Sequence, residues 1–201
     1  MPWLRLAAPL IVSLTLIAAP AAAQPAAAPA PEPTPSGPAV PAPLQQGDAF
    51  GQEVTLPEQT LIYFQGEATW DKAFDTLLDA YKSLAEYLDK QGIKPTGPAM
   101  TVYTETSDTG FKFHAAFPIA APPKDLPKGD IAVGPAPTGK ALKFVHRGSY
   151  DALDSTYEAI TNYLDDRQLE SKNVLVEEYE TDILKTPADN LVVTIYVPLK
   201  E

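Results

Sequence analysis

Residues Val174–Asp182 read VLVEEYETD. Apolar and aromatic residues with no Gly or Pro mark the stretch as a strand. Side chains two apart on a strand share a face, so Leu175, Glu177, Tyr179 and Thr181 point one way. A carboxylate between an aliphatic and an aromatic neighbour suits an amphipathic or cationic guest. The same spacing fits a solvated strand, and a register slip of one residue would put Glu178 in the place of Glu177.

The neighbouring elements follow from periodicity. Leu191–Val197 (LVVTIYV) is a second strand, closed by Pro198. Upstream, Asp151–Leu164 carries Leu153, Tyr157, Ile160 and Leu164 at helical spacing, and Lys140–Gly148 is a strand that ends on Gly. The same order occurs earlier in the chain. Thr60–Gly66 is a strand and Trp70–Lys90 an amphipathic helix stopped by Gly92. Met100–Glu105 and Phe111–Phe117 form a hairpin, and an extended piece is expected at Ile131–Gly134 within a Pro-rich connection. An offset of 76 pairs Leu77 with Leu153, Tyr81 with Tyr157, Tyr87 with Tyr163 and Tyr103 with Tyr179, and an offset of 80 pairs the last strands. The unit is therefore a strand–helix–strand–strand module present twice, over about 58–119 and about 138–199. The predicted fold is α+β, with antiparallel sheets, two long helices and a central cleft between pseudo-symmetric halves. The copies differ at one place of interest: Thr101 stands where the second copy has Glu177.

The N-terminal part reads differently. Residues 1–23 begin with Arg5, continue as an apolar run and end on small residues, the pattern of a signal peptide cleaved near Ala23. Residues 24–44 are almost wholly Ala and Pro and read as an extended spacer. The expected domain is 45–201, in a periplasmic or secreted protein that meets the membrane only transiently through its signal. Arg5 and Glu32 are the only charges before residue 45, so the domain keeps the net charge of −11. That charge repels phosphate backbones, and no nucleic-acid partner is expected. The chain has no Cys and two His, so no thiol chemistry, metal site or cofactor is expected either. Nucleophile-elbow and phosphate-loop patterns are missing from the sequence.

The passage Phe144-Val145-His146-Arg147-Gly148-Ser149-Tyr150, the Glu177-x-Tyr179-x-x-Asp182 strand and the closing Val197-Pro198-Leu199 occur in that order within the repeat. Together they resemble the GyrI-like family, the effector-binding domain also found in AraC-type and MerR-type regulators. The resemblance covers about residues 51–201. It implies an aromatic-lined cleft between the two modules and gives Glu177 the ligand-facing carboxylate of that cleft. The chain departs from the regulators in having a signal and a spacer where they carry DNA-binding helices, so direct transcriptional control is not expected.

The expected ligand-binding residues are Glu177, Tyr179, Tyr103, Tyr196, Tyr150 and Trp70. Tyrosines offer a large contact area with a polar tip, although each also fits a half-buried strand position, and Trp70 also fits an anchor at the helix start. The leading expectation is an exported small-molecule-binding protein for a small amphipathic or cationic guest. The alternatives are a small-molecule hydrolase using Glu177 with a tyrosine, and a non-catalytic interaction module of the cell envelope.

Overall fold

The computed structural model describes residues 45, 47–125 and 127–200; the expected signal peptide and Ala/Pro spacer lie outside the described residues. Its elements in chain order are β1 (Phe50–Leu56), β2 (Thr60–Thr69), α1 (Ala73–Gln91), β3 (Met100–Thr106), β4 (Gly110–Ile119), β5 (Ile131–Pro135), β6 (Gly139–Gly148), α2 (Leu153–Arg167), β7 (Leu175–Tyr179) and β8 (Leu191–Pro198). The order strand, helix, strand, strand occurs twice, as β2-α1-β3-β4 and β6-α2-β7-β8, each time preceded by one further strand.

The helices follow from their stripes. In α1, Leu77, Ala80, Tyr81, Leu84 and Leu88 are buried at spacings of three and four. The helix ends at Gly92, which takes the left-handed conformation at φ 65. The second helix has 15 residues against 19, and a 3-10 turn at Tyr150–Ala152 precedes it. The turns Trp70–Lys72 and Tyr150–Ala152 match at an offset of 80, and one helical turn fewer, close to four residues, brings the strands directly after the helices to 76.

All eight strands join in one antiparallel sheet, in the order β1-β6-β8-β7-β3-β4-β2-β5. The two modules therefore share a sheet instead of forming separate ones. Each leaves one edge of unpaired backbone groups, and those edges meet as β3 pairs with β7 at the centre. The leading strands are exchanged. β1, ahead of the first module, pairs with β6 of the second, and β5, ahead of the second, pairs with β2 of the first. The exchange ties the halves by backbone hydrogen bonds at both ends of the sheet. β1 had no strand expectation because its FGQEVTL sequence lies largely outside the core. It bulges at Gly51, with φ 77, where a Cβ would fall 2.1 Å from the Tyr163 ring.

Both helices cover one face. Leu77 and Tyr81 of α1 and Leu153 and Ile160 of α2 join Phe113, Phe144, Val193 and Ile195 in a single buried cluster. Each such side chain contributes roughly 1.5–3 kcal/mol by leaving water. The opposite face carries a smaller buried patch of Leu61, Met100, Val102, Ala116 and Val176, flanked by Tyr63 and Tyr196.

Candidate functional site

Period-2 alternation decides which face Glu177 takes. It pairs across the sheet with Thr101 on one side and Ile195 on the other. Ile195 belongs to the cluster beneath the helices, so Glu177 points towards the helices too. Thr101 and Glu177 are equivalent in the repeat and are also direct cross-strand partners. A pair that exchanges with itself lies on the pseudo-twofold axis, so Glu177 stands at the centre of the duplicated fold.

The carboxylate is wholly buried, at 0% exposure. Tyr103 and Tyr179 donate their hydroxyls to Oε2 at 2.9 and 2.7 Å, and Tyr157 donates to Oε1 at 2.5 Å. None of the ion pairs among the described residues involves it. Burial pushes the Glu177 carboxyl above the ordinary range, and the hydroxyls of Tyr157, Tyr179 and Tyr103 pull it back part of the way. Tyr103, Tyr157 and Tyr179 are pushed well above the usual phenol range, first by burial and then by the charge on Glu177. These hydroxyls are thus held as donors.

Glu177 is among the residues that line an open cleft of about 660 Å³. Trp70, Tyr103, Tyr150 and Tyr157 supply its aromatic walls, with Ala73, Leu153 and Leu175 between them. Asp108, Asp151 and Asp154 also line it, and among the described residues no Lys, Arg or His does. Tyr150 is carried on the 3-10 turn before α2 and packs against Phe74 at 4.7 Å. The turn is held by buried His146, whose Nε2 meets the Ser149 carbonyl at 3.0 Å while Nδ1 meets Thr156 Oγ1 at 2.8 Å. Burial lowers the His146 pKa, so its hydrogen bonds are those of a neutral structural imidazole. Trp70 is 47% exposed and donates Nε1–H to the Ser107 carbonyl at 2.8 Å. It both anchors the β3–β4 turn and stands in the cleft wall.

The structure thus brings together Glu177, Tyr103, Tyr179, Tyr150 and Trp70 and leaves one expected residue out. Tyr179 lies behind the carboxylate, its ring edge-on to Tyr81 at 5.8 Å, and serves as a donor and not as a wall. Tyr196 does not reach the cleft. It pairs with Val176 and so projects from the opposite face, where its hydroxyl meets Glu178 Oε1 at 3.4 Å and its pKa is pushed up to about 12. The physical reason is register: with Glu177 opposite Ile195, its sheet neighbour Tyr196 must point away. Tyr157 is the site residue that pattern reading absorbed into the helix core. Its signal was the offset of 76 from Tyr81, which places a tyrosine from each helix above the strand pair. Among the described residues no group of three or more His, Cys, Asp or Glu is placed to hold a metal ion.

Comparison with known proteins agrees with this architecture. The model of the GyrI-like small molecule binding domain matches residues 52–200. Among solved structures, EcmrR in a complex with DNA superposes at a TM-score of 0.65 and 18% identity, over 76% of this chain and 57% of that one. This chain therefore spans little more than half the length of that relative. The isolated EcmrR C-terminal domain gives a TM-score of 0.60 at 17% identity, over 76% of this chain and 98% of that one. SAV2435 bound to tetraphenylphosphonium gives 0.53 at 14% identity, over 76% and 94%. At these identities the likeness is one of fold. No curated protein sequence matches the chain significantly.

Proposed function

This chain belongs to the GyrI-like small-molecule-binding family, and we propose that its cleft binds a compact aromatic or lipophilic cation, with Glu177 selecting for positive charge. One observation carries the reading. A carboxylate at 0% exposure lines an open cleft, holds three tyrosine hydroxyls, and has no ion-pair partner among the described residues. Burying a charge costs several kcal/mol unless it is compensated. The hydroxyls compensate in part, and a cation entering the cleft would complete the compensation. Faces of Trp70, Tyr103, Tyr150 and Tyr157 offer apolar area and cation–π attraction. The tetraphenylphosphonium bound by SAV2435, which has a similar fold, is a guest of this chemistry and supports the choice of probe.

Calorimetric titration of the full chain with tetraphenylphosphonium, and with neutral triphenylphosphine oxide as control, tests the reading. Wild type is expected to bind the cation more tightly than the neutral analogue. Glu177→Gln is expected to lose about 100-fold in cation affinity, roughly 2.7 kcal/mol, while binding the oxide as before. Equal cation affinity in the two proteins would overturn the selecting carboxylate, and no binding to wild type would overturn the cation.

A second reading is hydrolysis, favoured by the 2.5 Å contact between the Tyr157 hydroxyl and Glu177. A general base and a hydroxyl within reach are what such chemistry needs. Binding is the better supported, because the carboxylate already accepts three hydrogen bonds and the phenols, pushed up, are weak acids. Turnover of activated esters or epoxides that is lost in Glu177→Gln would reverse that preference. A purely structural envelope module is less well supported, since a cleft of about 660 Å³ stands open. The apolar and Ala/Pro stretches of residues 1–44 support a place for this binding in the envelope or outside the cell.

A further inference from the structure

Counting protons around Glu177 leads to a residue that never touches the cleft. Each hydroxyl has one proton to donate. Tyr179 gives its proton to Glu177 Oε2, so its oxygen must accept from Thr101 Oγ1, 3.2 Å away. Thr101 has then used its proton, so its oxygen must accept from the Tyr81 hydroxyl at 2.9 Å. The result is a one-way chain, Tyr81 to Thr101 to Tyr179 to Glu177, in which every proton points at the carboxylate. Tyr103, which also donates to Oε2, has its oxygen 3.5 Å from the Tyr150 hydroxyl and accepts on the same logic. Aligned hydroxyls polarise one another, so the last donor is stronger than a lone phenol.

Thr101 is the hinge of that chain. It is 0% exposed and does not line the cleft. It is the cross-strand partner of Glu177 and its equivalent in the first module. Tyr81 over Thr101 repeats Tyr157 over Glu177 at the same offset of 76. A second carboxylate at that position would place two anions side by side in a dry layer, and a Val would offer neither donor nor acceptor. A hydroxyl can do both.

We propose that Thr101 is a positioning residue for cation binding: it commits the Tyr179 proton to Glu177 and so favours the carboxylate over the carboxylic acid in the empty cleft. The consequence for affinity rests on the cation-binding reading above, but the effect on the carboxylate does not. The groups that face Glu177 are Tyr103 from β3, Tyr179 from β7, Tyr157 from α2, Tyr150 from the turn before it and Tyr81 from α1. Asp151 and Asp154 lie at the cleft lining.

The test follows the Glu177 carboxyl by isotope-labelled NMR in the ligand-free full chain, from about pH 4 to about pH 9. Thr101→Val is expected to raise the midpoint by about one unit, which makes the ionised form about tenfold rarer on the acid limb. Thr101→Ser, which restores the hydroxyl, should leave the midpoint where wild type has it. Tetraphenylphosphonium affinity measured on the same proteins should lose its acid limb at correspondingly higher pH in Thr101→Val alone. An unmoved midpoint in Thr101→Val, or an equal displacement in Thr101→Ser, overturns the proposal. Should Thr101→Val fail to fold, Tyr81→Phe removes the link before it and should move the midpoint the same way by about half a unit, no displacement overturning the idea. If wild type ignores the cation while the midpoints move as stated, the binding reading fails and the role of Thr101 stands.

Discussion

The two faces of the central strand pair receive the same residue types and treat them differently. On the helix side, Glu177 is surrounded by Tyr103, Tyr157 and Tyr179 with no cation. On the other side, its neighbour Glu178 is pushed up by burial and by Glu180, against the pull of a tyrosine, Tyr196, and of Lys143. Glu178 is a half-buried carboxylate with ordinary company. The contrast shows that composition does not make a site. Glu-x-Tyr comes to line a cleft only where the helix side brings in a further tyrosine, Tyr157, and no lysine.

The largest expected consequence is alkaline. Tyr81, Tyr103, Tyr157 and Tyr179 on the helix side all have pKa values raised by burial. A raised folded pKa contributes stability that is complete below the unfolded value and lost as pH rises towards the folded one. Above about pH 10 the unfolded chain sheds protons that the folded one keeps, so four such groups cost about 5 kcal/mol per pH unit. Against a total of about 5–15 kcal/mol, the domain should unfold cooperatively within about two units. Tyrosinate absorbance should rise in step with loss of far-ultraviolet circular dichroism. Tyrosinate absorbance that grew smoothly while the fold persisted would show the helix face to be wetter than this structure has it.

A smaller effect separates the two glutamates. Burial raises Glu177 despite its three donors, so its ionisation opposes folding. Between about pH 4 and its folded pKa the native state binds the extra proton, and stability falls as pH rises. Glu177→Gln should remove that slope and make the empty protein more stable at neutral pH by about 1–2 kcal/mol, the usual exchange of stability for function. Glu178→Gln should stay within about 0.5 kcal/mol. Denaturant titrations at two pH values read both. A destabilised Glu177→Gln would mean that the hydroxyls already repay the full cost of the charge.

Much of the fold was legible because its periods are strong. The stripe from Leu77 to Leu88 and the alternation from Phe111 to Phe117 announce a helix and a strand, and their recurrence at 76 and 80 residues announces duplication. What was not legible depends on pairing. Nothing local in FGQEVTL says that β1 crosses to the far module, because the hydrogen bonds that define it come from β6. Likewise Glu177, Tyr103 and Tyr179 were readable as neighbours, since Tyr103 and Tyr179 match at the offset of 76 and Glu177 shares a strand face with Tyr179. Tyr196 was misplaced because its face depends on the register between β7 and β8, which no single strand encodes. Tyr157 was hidden because a tyrosine on a helix stripe looks the same whether its hydroxyl is buried in a core or bonded to a carboxylate.

The finest test of the two faces removes one oxygen from each. Tyr157→Phe takes from Glu177 Oε1 its only donor among the described residues while leaving Tyr103 and Tyr179 on Oε2. A hydrogen bond to a charged group contributes about 1.5–3 kcal/mol. Part of that is recovered here, because a bound cation can approach the freed oxygen more closely. The expected change in tetraphenylphosphonium affinity is therefore a loss of about tenfold or less, with the acid limb of binding moved to higher pH because the carboxylate has lost a donor. Tyr196→Phe removes a 3.4 Å contact to Glu178 on the far face, and it should leave both affinity and pH profile unchanged. If Tyr196→Phe weakened binding as much as Tyr157→Phe, the guest would be on the wrong side of the sheet for this cleft. If Tyr157→Phe tightened binding, the hydroxyl would be a competitor for the cation's place and not part of what holds it.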